Sequence, residues 1–133
     1  LMRAVECLQQ NLFISAPALS QIAAVAAFDC EEEIQANIAA YARNREILLD
    51  GLPKAGFTKF APADGAFYLY ADVSDLTDDS EAFCRRILDE TGVATTPGTD
   101  FDRLRGKHYV RFSFAHSEAT MIGAVKALQN WKR

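Results

Sequence analysis

The apolar positions of this chain begin with a helical period and later shorten to a strand period, and that change divides the sequence into two kinds of element. Val5, Leu8 and Leu12 recur at helical spacing from Met2 to about Leu12, and Ala16-Pro17 breaks the pattern. An Ala-rich run from about Ala18 to Phe28 carries few charges, which predicts a second helix packed closely on both sides. Asp29, with Glu32 three residues on, makes a capping-box start, and Glu31 to Glu33 put negative charge in a first turn where the helix dipole favours it. Ile34, Ile38, Tyr41, Arg45, Leu48 and Leu52 then hold one stripe along a long helix that Gly51 and Pro53 are expected to end.

After Pro53 the period shortens. Phe57 to Phe60 predicts a short strand, Pro62-Ala-Asp-Gly65 a turn, and Ala66 to Asp72 a stronger strand lying antiparallel to the first. Asp79-Ser80 opens a helix whose apolar face is Phe83, Cys84, Ile87 and Leu88, with Gly92 closing it. Val93 to Thr96 is a third short strand, and Pro97 to Gly106 a loop longer than a tight hairpin needs. Tyr109 to Ala115 is the fourth: Val110, Phe112 and Phe114 fall on one face, so Arg111 shares the other with Tyr109 and Ser113. Ser117 caps a closing helix with Ile122, Val125, Leu128 and Trp131 inward.

This order predicts an α+β fold in a single domain, residues 1–133: a small, mostly antiparallel sheet of three to four strands, covered by helices on one face, with a long N-terminal helix. The other face of the sheet carries Arg111. On pattern alone that arginine either meets water or meets a ligand.

Composition narrows the function classes. Half of the 133 residues are apolar, enough for a core without staples, and the net charge of -4 is spread without a basic face, which argues against nucleic acid as a partner. No apolar run approaches the ~20 residues needed to span a bilayer. Cys7, Cys30 and Cys84 are odd in number and lack metal or disulfide spacing, as expected of reduced thiols in a cytoplasmic protein. His108 and His116 have no Cys or carboxylate partners at ligand spacing, so no metal site is expected. Ser15, Ser113 and Ser117 lack a nucleophile-elbow setting, and no Gly-x-x-x-x-Gly-Lys loop occurs. The chain opens on Leu1-Met-Arg-Ala-Val-Glu-Cys-Leu already in helical periodicity, the pattern expected of a piece of a longer polypeptide.

Three separated pieces remain: Asp64-Gly-Ala-Phe-Tyr-Leu69, then Val93-Ala-Thr-Thr-Pro-Gly98 with Phe101, then Val110-Arg-Phe-Ser-Phe114. In this order, ahead of a closing helix, they resemble the C-terminal small domain of pyridoxal-phosphate-dependent aminotransferases of the class I and II, fold-type I group. The resemblance implies a role for Arg111: the matching arginine of the family grips the α-carboxylate of the amino-acid substrate. A planar guanidinium suits that role because it donates two parallel hydrogen bonds to a carboxylate. It implies that Pro97, Gly98 and Phe101 form the loop beside the substrate, where glycine permits close backbone approach. As sequence alone, Pro97 is equally ordinary loop punctuation. It implies that Gly65, Ala66 and Phe67 line the region of the substrate side chain, with core packing the alternative for Phe67. Ser15 matches a place where relatives reach the partner subunit's site, which implies a cofactor-side contact in a homodimer. Many relatives have glycine after the phenylalanine, whereas Asp102 follows Phe101 here and leaves the loop geometry open.

The resemblance also says what is missing. The Schiff-base lysine of the family stands in a Ser-x-x-Lys or Ser-Lys setting, but Lys54, Lys59, Lys107, Lys126 and Lys132 follow Pro, Thr, Gly, Val and Trp. The expectation is therefore a fragment, inactive alone and without a catalytic residue of its own, whose residues 1–28 link to a missing N-terminal large domain. The implied parent moves an amino group between an amino acid and a 2-oxo acid with pyridoxal 5'-phosphate. A lyase or synthase of the same fold type, the small domain of a regulator with an aminotransferase-like body, or a stand-alone binding module are the other readings.

Overall fold

The computed structural model describes residues 1–12 and 14–132. They divide into two compact units, Leu1–Ala36 and Asn37–Arg133. The first unit holds helices α1 (Met2–Leu12) and α2 (Ala18–Ala26), a short 3-10 helix (Ala27–Asp29) and the start of α3 (Glu31–Lys54). Neither α1 nor α2 buries a residue within the described chain, so the close packing expected of the Ala-rich run is not found there. Asp29 does not cap α3. It ends the 3-10 turn, and the first helical bond of α3 runs from the Ile34 N–H to the Cys30 carbonyl at 3.0 Å.

The second unit is a four-stranded sheet with helices on one face. Strands β1 (Lys59–Phe60), β2 (Tyr68–Asp72), β3 (Thr96–Pro97) and β4 (Tyr109–Ser113) lie in the order β1-β2-β4-β3, every neighbour antiparallel. Alternation sorts the two longer strands: Leu69, Ala71, Val110 and Phe112 point into the core, and Tyr68, Tyr70, Tyr109 and Arg111 stand half-buried on the opposite face. Leu48 and Leu52 of α3, Phe83, Cys84 and Ile87 of α4 (Ser80–Thr91), and Met121, Val125 and Leu128 of α5 (Glu118–Gln129) cover the apolar face. Phe57 is fully buried at the middle, edge-on to Phe112 with ring centroids 5.0 Å apart.

Two stop signals act differently from the expectation. Helix α3 includes Gly51 and Pro53 and ends at Lys54, one residue past Pro53, with Gly56 just beyond it at a left-handed φ of 85°. There the Gly56 N–H donates to the Pro53 carbonyl at 2.9 Å and the Phe57 N–H to the Leu52 carbonyl at 3.0 Å, a Schellman ending sealed by the buried pair Leu52 and Phe57. Gly51 serves packing instead: a Cβ there would lie 2.3 Å from Val125 Cγ1, so α3 and α5 approach at a point that admits only hydrogen. The caps of the later helices are as the sequence predicts, with Asp79 accepting from the Glu81 and Ala82 N–H groups, Gly92 left-handed at φ 74°, and Ser117 accepting from the Thr120 N–H. Leu88 and Ile122, expected inward, are about half exposed, while Met121 takes the buried place in α5. The third strand is also shifted, to Thr96–Pro97, because only those residues pair with β4.

Candidate functional site

Register across the sheet assembles the open face. Arg111 of β4 is the Cα partner of Tyr70 on β2 and of Thr96 on β3, so three side chains from distant parts of the sequence stand in one row. The Arg111 guanidinium is then fixed from three directions. Its Nη2 donates to Thr96 Oγ1 at 3.2 Å, and its Cζ lies 5.3 Å from the Tyr68 ring centroid and 5.0 Å from that of Phe101. Both rings are within cation–π range. Its Nε is buried and has no hydrogen-bond partner among the described residues, nor does the guanidinium form an ion pair with any of them. A guanidinium in contact with two rings and with a donor unpaired can bond a planar anion.

That guanidinium opens into a cavity of about 500 Å³. Tyr68 and Tyr70 form its floor on β2, Phe101 and Asp102 one wall, and the segment from Ala61 to Ala66 the other. Arg45 of α3 holds this second wall, donating from Nη1 to the Ala63 carbonyl at 3.0 Å. Ala66 adopts a left-handed φ of 59°, which its small side chain tolerates at some cost.

The Phe101 wall belongs to a loop tied at its neck. Gly98 and Gly106 touch backbone to backbone, such that a Cβ on Gly106 would lie 2.3 Å from the Gly98 carbonyl group. Ser80, buried at the start of α4, donates its hydroxyl to the Gly106 carbonyl at 2.9 Å, and Thr99 Oγ1 bonds Glu81 at 2.9 Å. The N–H of Arg105, then its guanidinium, then the N–H of Leu104 hold the Asp102 carboxyl below its ordinary range. Tyr70 stacks flat on Tyr109 with centroids 4.9 Å apart, and burial foremost, then the Asp102 charge, pushes its phenol up.

Of the residues singled out in the sequence, Arg111, Gly65, Ala66 and Phe101 line this one cavity. Gly98 is buried at the loop neck, and Pro97 sits in β3 opposite Val110. Phe67 is about half exposed and meets Tyr68 edge-on, its carbonyl accepting from the Phe114 N–H at 2.8 Å. Ser15 lies in the first unit, exposed at the bend between α1 and α2. Tyr68, Tyr70, Thr96 and Arg45 are the residues that sequence reasoning missed. The two tyrosines had a signal, the alternation of β2, but nothing local said which strand would lie beside it.

Among the described residues no group of three or more His, Cys, Asp or Glu side chains could hold a metal ion, and no helix is long and apolar enough to cross a membrane.

Comparison with known proteins places the sequence and the fold in one family. The sequence pattern of the family described as "Aminotransferase class I and II" matches residues 3–128. The chain is 53% identical over 133 residues to a valine–pyruvate aminotransferase of Mycobacterium tuberculosis, covering 98% of this chain and 34% of that one. It is 39% identical over 119 residues to a (5-formylfuran-3-yl)methyl phosphate transaminase of Methanocaldococcus jannaschii, covering 88% of this chain and 31% of that one. A solved aminotransferase structure from Mycobacterium tuberculosis superposes with a TM-score of 0.80 at 52% identity, over 97% of this chain and 34% of the other. The chain thus spans about a third of the length of the curated relatives it matches.

Proposed function

The chain belongs to the class I and II aminotransferase family, and from that premise we propose that it is the small domain of an enzyme that moves an amino group between an amino acid and a 2-oxo acid. Its part is to grip the substrate's α-carboxylate through Arg111. The observation that carries this is the guanidinium clasped by Tyr68, Phe101 and Thr96 at the end of a cavity, with its Nε still unpartnered among the described residues. A fixed carboxylate fixes the Cα–H bond beside it, and a preset orientation removes much of the entropic barrier to reaction.

The family implies pyridoxal phosphate in the full-length parent. The residues present here do not make a site for it: no lysine lines the Arg111 cavity, so nothing in that cavity offers an amine to the cofactor's aldehyde. The cofactor's lysine and phosphate site are assigned to the rest of the parent, and the 133-residue chain by itself is expected to be inactive. Gly65, Ala66 and Phe101 are assigned to the substrate pocket with Arg111, and Pro97 and Gly98 to the frame of the loop. We assign residues 1–28 to the connection with the large domain and Ser15 to a cofactor-side contact in a cytoplasmic homodimer, as the family resemblance implies. Valine and pyruvate, named for the Mycobacterium tuberculosis relative, are the first substrates to assay.

The test is Arg111→Ala in the full-length parent. Truncating one partner of a desolvated charge pair costs about 2–5 kcal/mol, which is the loss expected in kcat/KM. Arg111→Lys is expected to restore only part, since an ammonium cannot reproduce the planar two-point grip. A change below about threefold, well under that energy, on every amino donor rules the role out.

A further inference from the structure

We propose that Asp102 is a positioning residue for the carboxylate grip: it locks the loop between Gly98 and Gly106 so that the Phe101 ring stays on the Arg111 guanidinium. The inference rests on the assignment of Arg111 as the carboxylate anchor. Phe101 is 57% exposed, so no packed core holds its ring 5.0 Å from Arg111 Cζ. What holds it is backbone, and that backbone converges on the next residue. Asp102 Oδ1 accepts from the Leu104 N–H at 2.9 Å and the Arg105 N–H at 3.0 Å, and Oδ2 accepts from Arg105 Nε at 2.9 Å. Its own N–H donates to the Gly98 carbonyl at 2.9 Å, and its carbonyl accepts from the Gly106 N–H at 2.8 Å. The side chain closes the turn at 102–105 while the main chain fastens that turn to the glycine neck. Phe101 shares the fastening, its N–H also directed at the Gly98 carbonyl at 2.9 Å.

Asp102 lines the same cavity as Arg111, yet its oxygens are directed at Leu104 and Arg105, and no ion pair joins it to Arg111. The one acid among the described residues that line this cavity thus leaves the anchor to an incoming carboxylate. Asp102 has no left-handed φ, so the turn makes no demand for glycine at this position. A glycine would bend as readily but would supply no acceptor for the two N–H groups.

The test uses the full-length parent and two competitive inhibitors that differ only in the acid group, 4-methylpentanoate and its amide. Asp102→Ala is expected to weaken the acid about three- to tenfold, the range a lost cation–π contact supplies, and to leave the amide within about twofold. Asp102→Asn, which keeps an acceptor for the Leu104 and Arg105 N–H groups, is expected to bind both within about twofold of the parent. Should Asp102→Ala fail to fold, Phe101→Leu carries the same acid-selective expectation. Arg111→Ala serves as the reference. If it abolishes acid binding while Asp102→Ala leaves it unchanged, the positioning role is wrong and the anchor stands. If Asp102→Ala weakens acid and amide alike, the residue only maintains the pocket and the proposal fails. If Arg111→Ala leaves acid binding intact, the anchor falls and the positioning role with it.

Discussion

Thr96 and Arg111 are cross-strand partners on β3 and β4, and their side chains remain bonded, Arg111 Nη2 lying 3.2 Å from Thr96 Oγ1. The hydroxyl stops the guanidinium from rotating between its two rings. Thr96→Val keeps the shape and removes the acceptor, so kcat/KM of the full-length parent should fall by about 0.5–1.5 kcal/mol, the net worth of one hydrogen bond. Thr96→Ser should recover most of it. Equal kinetics for Val and Thr at this position would show that the rings alone set the guanidinium.

Gly51 is where α3 and α5 come closest. Gly51→Ala drives a Cβ to within 2.3 Å of Val125 Cγ1 and should destabilise the chain by about 1–3 kcal/mol through overpacking, despite the better helix propensity of alanine. Urea unfolding checks this. Adding Val125→Ala should return part of the loss, since the second change vacates the space the first one fills.

Asn44 is 1% exposed, and its Nδ2 donates to both the Phe114 carbonyl at 2.9 Å and the His116 carbonyl at 2.6 Å. It fastens the segment following β4 to α3. Asn44→Leu leaves two carbonyls without a donor and should lower stability by about 1–3 kcal/mol in the same unfolding measurement. Asn44→Asp should be no better, since a carboxylate offers no N–H.

The Cys84 thiol lies buried in the core, and burial pushes its pKa up. A raised acid pKa means that the folded state keeps a proton the unfolded chain loses. Stability should therefore be unaffected by this group below about pH 8.5, the ordinary thiol value, and should decline as pH rises above it. Cys84→Ala should flatten that alkaline slope in urea midpoints taken from pH 7 to 10. The same thiol should resist alkylation in the folded chain and react once urea is added.

Ala66 occupies a left-handed φ of 59° on the cavity rim. A branched side chain is strained there, so Ala66→Val should cost about 1–2 kcal/mol, whereas Ala66→Gly should be close to neutral in thermal unfolding.

Much of this architecture could be read from neighbours in the chain. The inward face of β4, the caps at Asp79 and Ser117 and the left-handed Gly92 were legible because each depends on a few adjacent residues and a fixed repeat. The family resemblance pointed to Arg111, Gly65, Ala66, Phe67, Pro97, Gly98 and Phe101 as substrate-binding, and of these Arg111, Gly65, Ala66 and Phe101 line one cavity while Phe67 does not. Pro97 lies in β3 and Gly98 is buried against Gly106 at the loop neck, positions that their character as turn residues did not distinguish from the cavity lining. Gly51 shows the same ambiguity: read locally it is a helix breaker, and in the fold it is a contact.

From the sequence, then, come the kind and order of the elements, the face on which Arg111 stands and, through the family resemblance, the proposal that its guanidinium pairs with a carboxylate. The fold decides what surrounds that guanidinium. Strand order β1-β2-β4-β3 brings Thr96 and Tyr68 beside it, the Gly98–Gly106 neck brings Phe101 over it, and Arg45 draws in the opposite wall. Those contacts join residues far apart in the chain. Such contacts depend on register, loop closure and the packing of α3 and α5 against the sheet, for which a run of neighbouring residues holds no repeating signal.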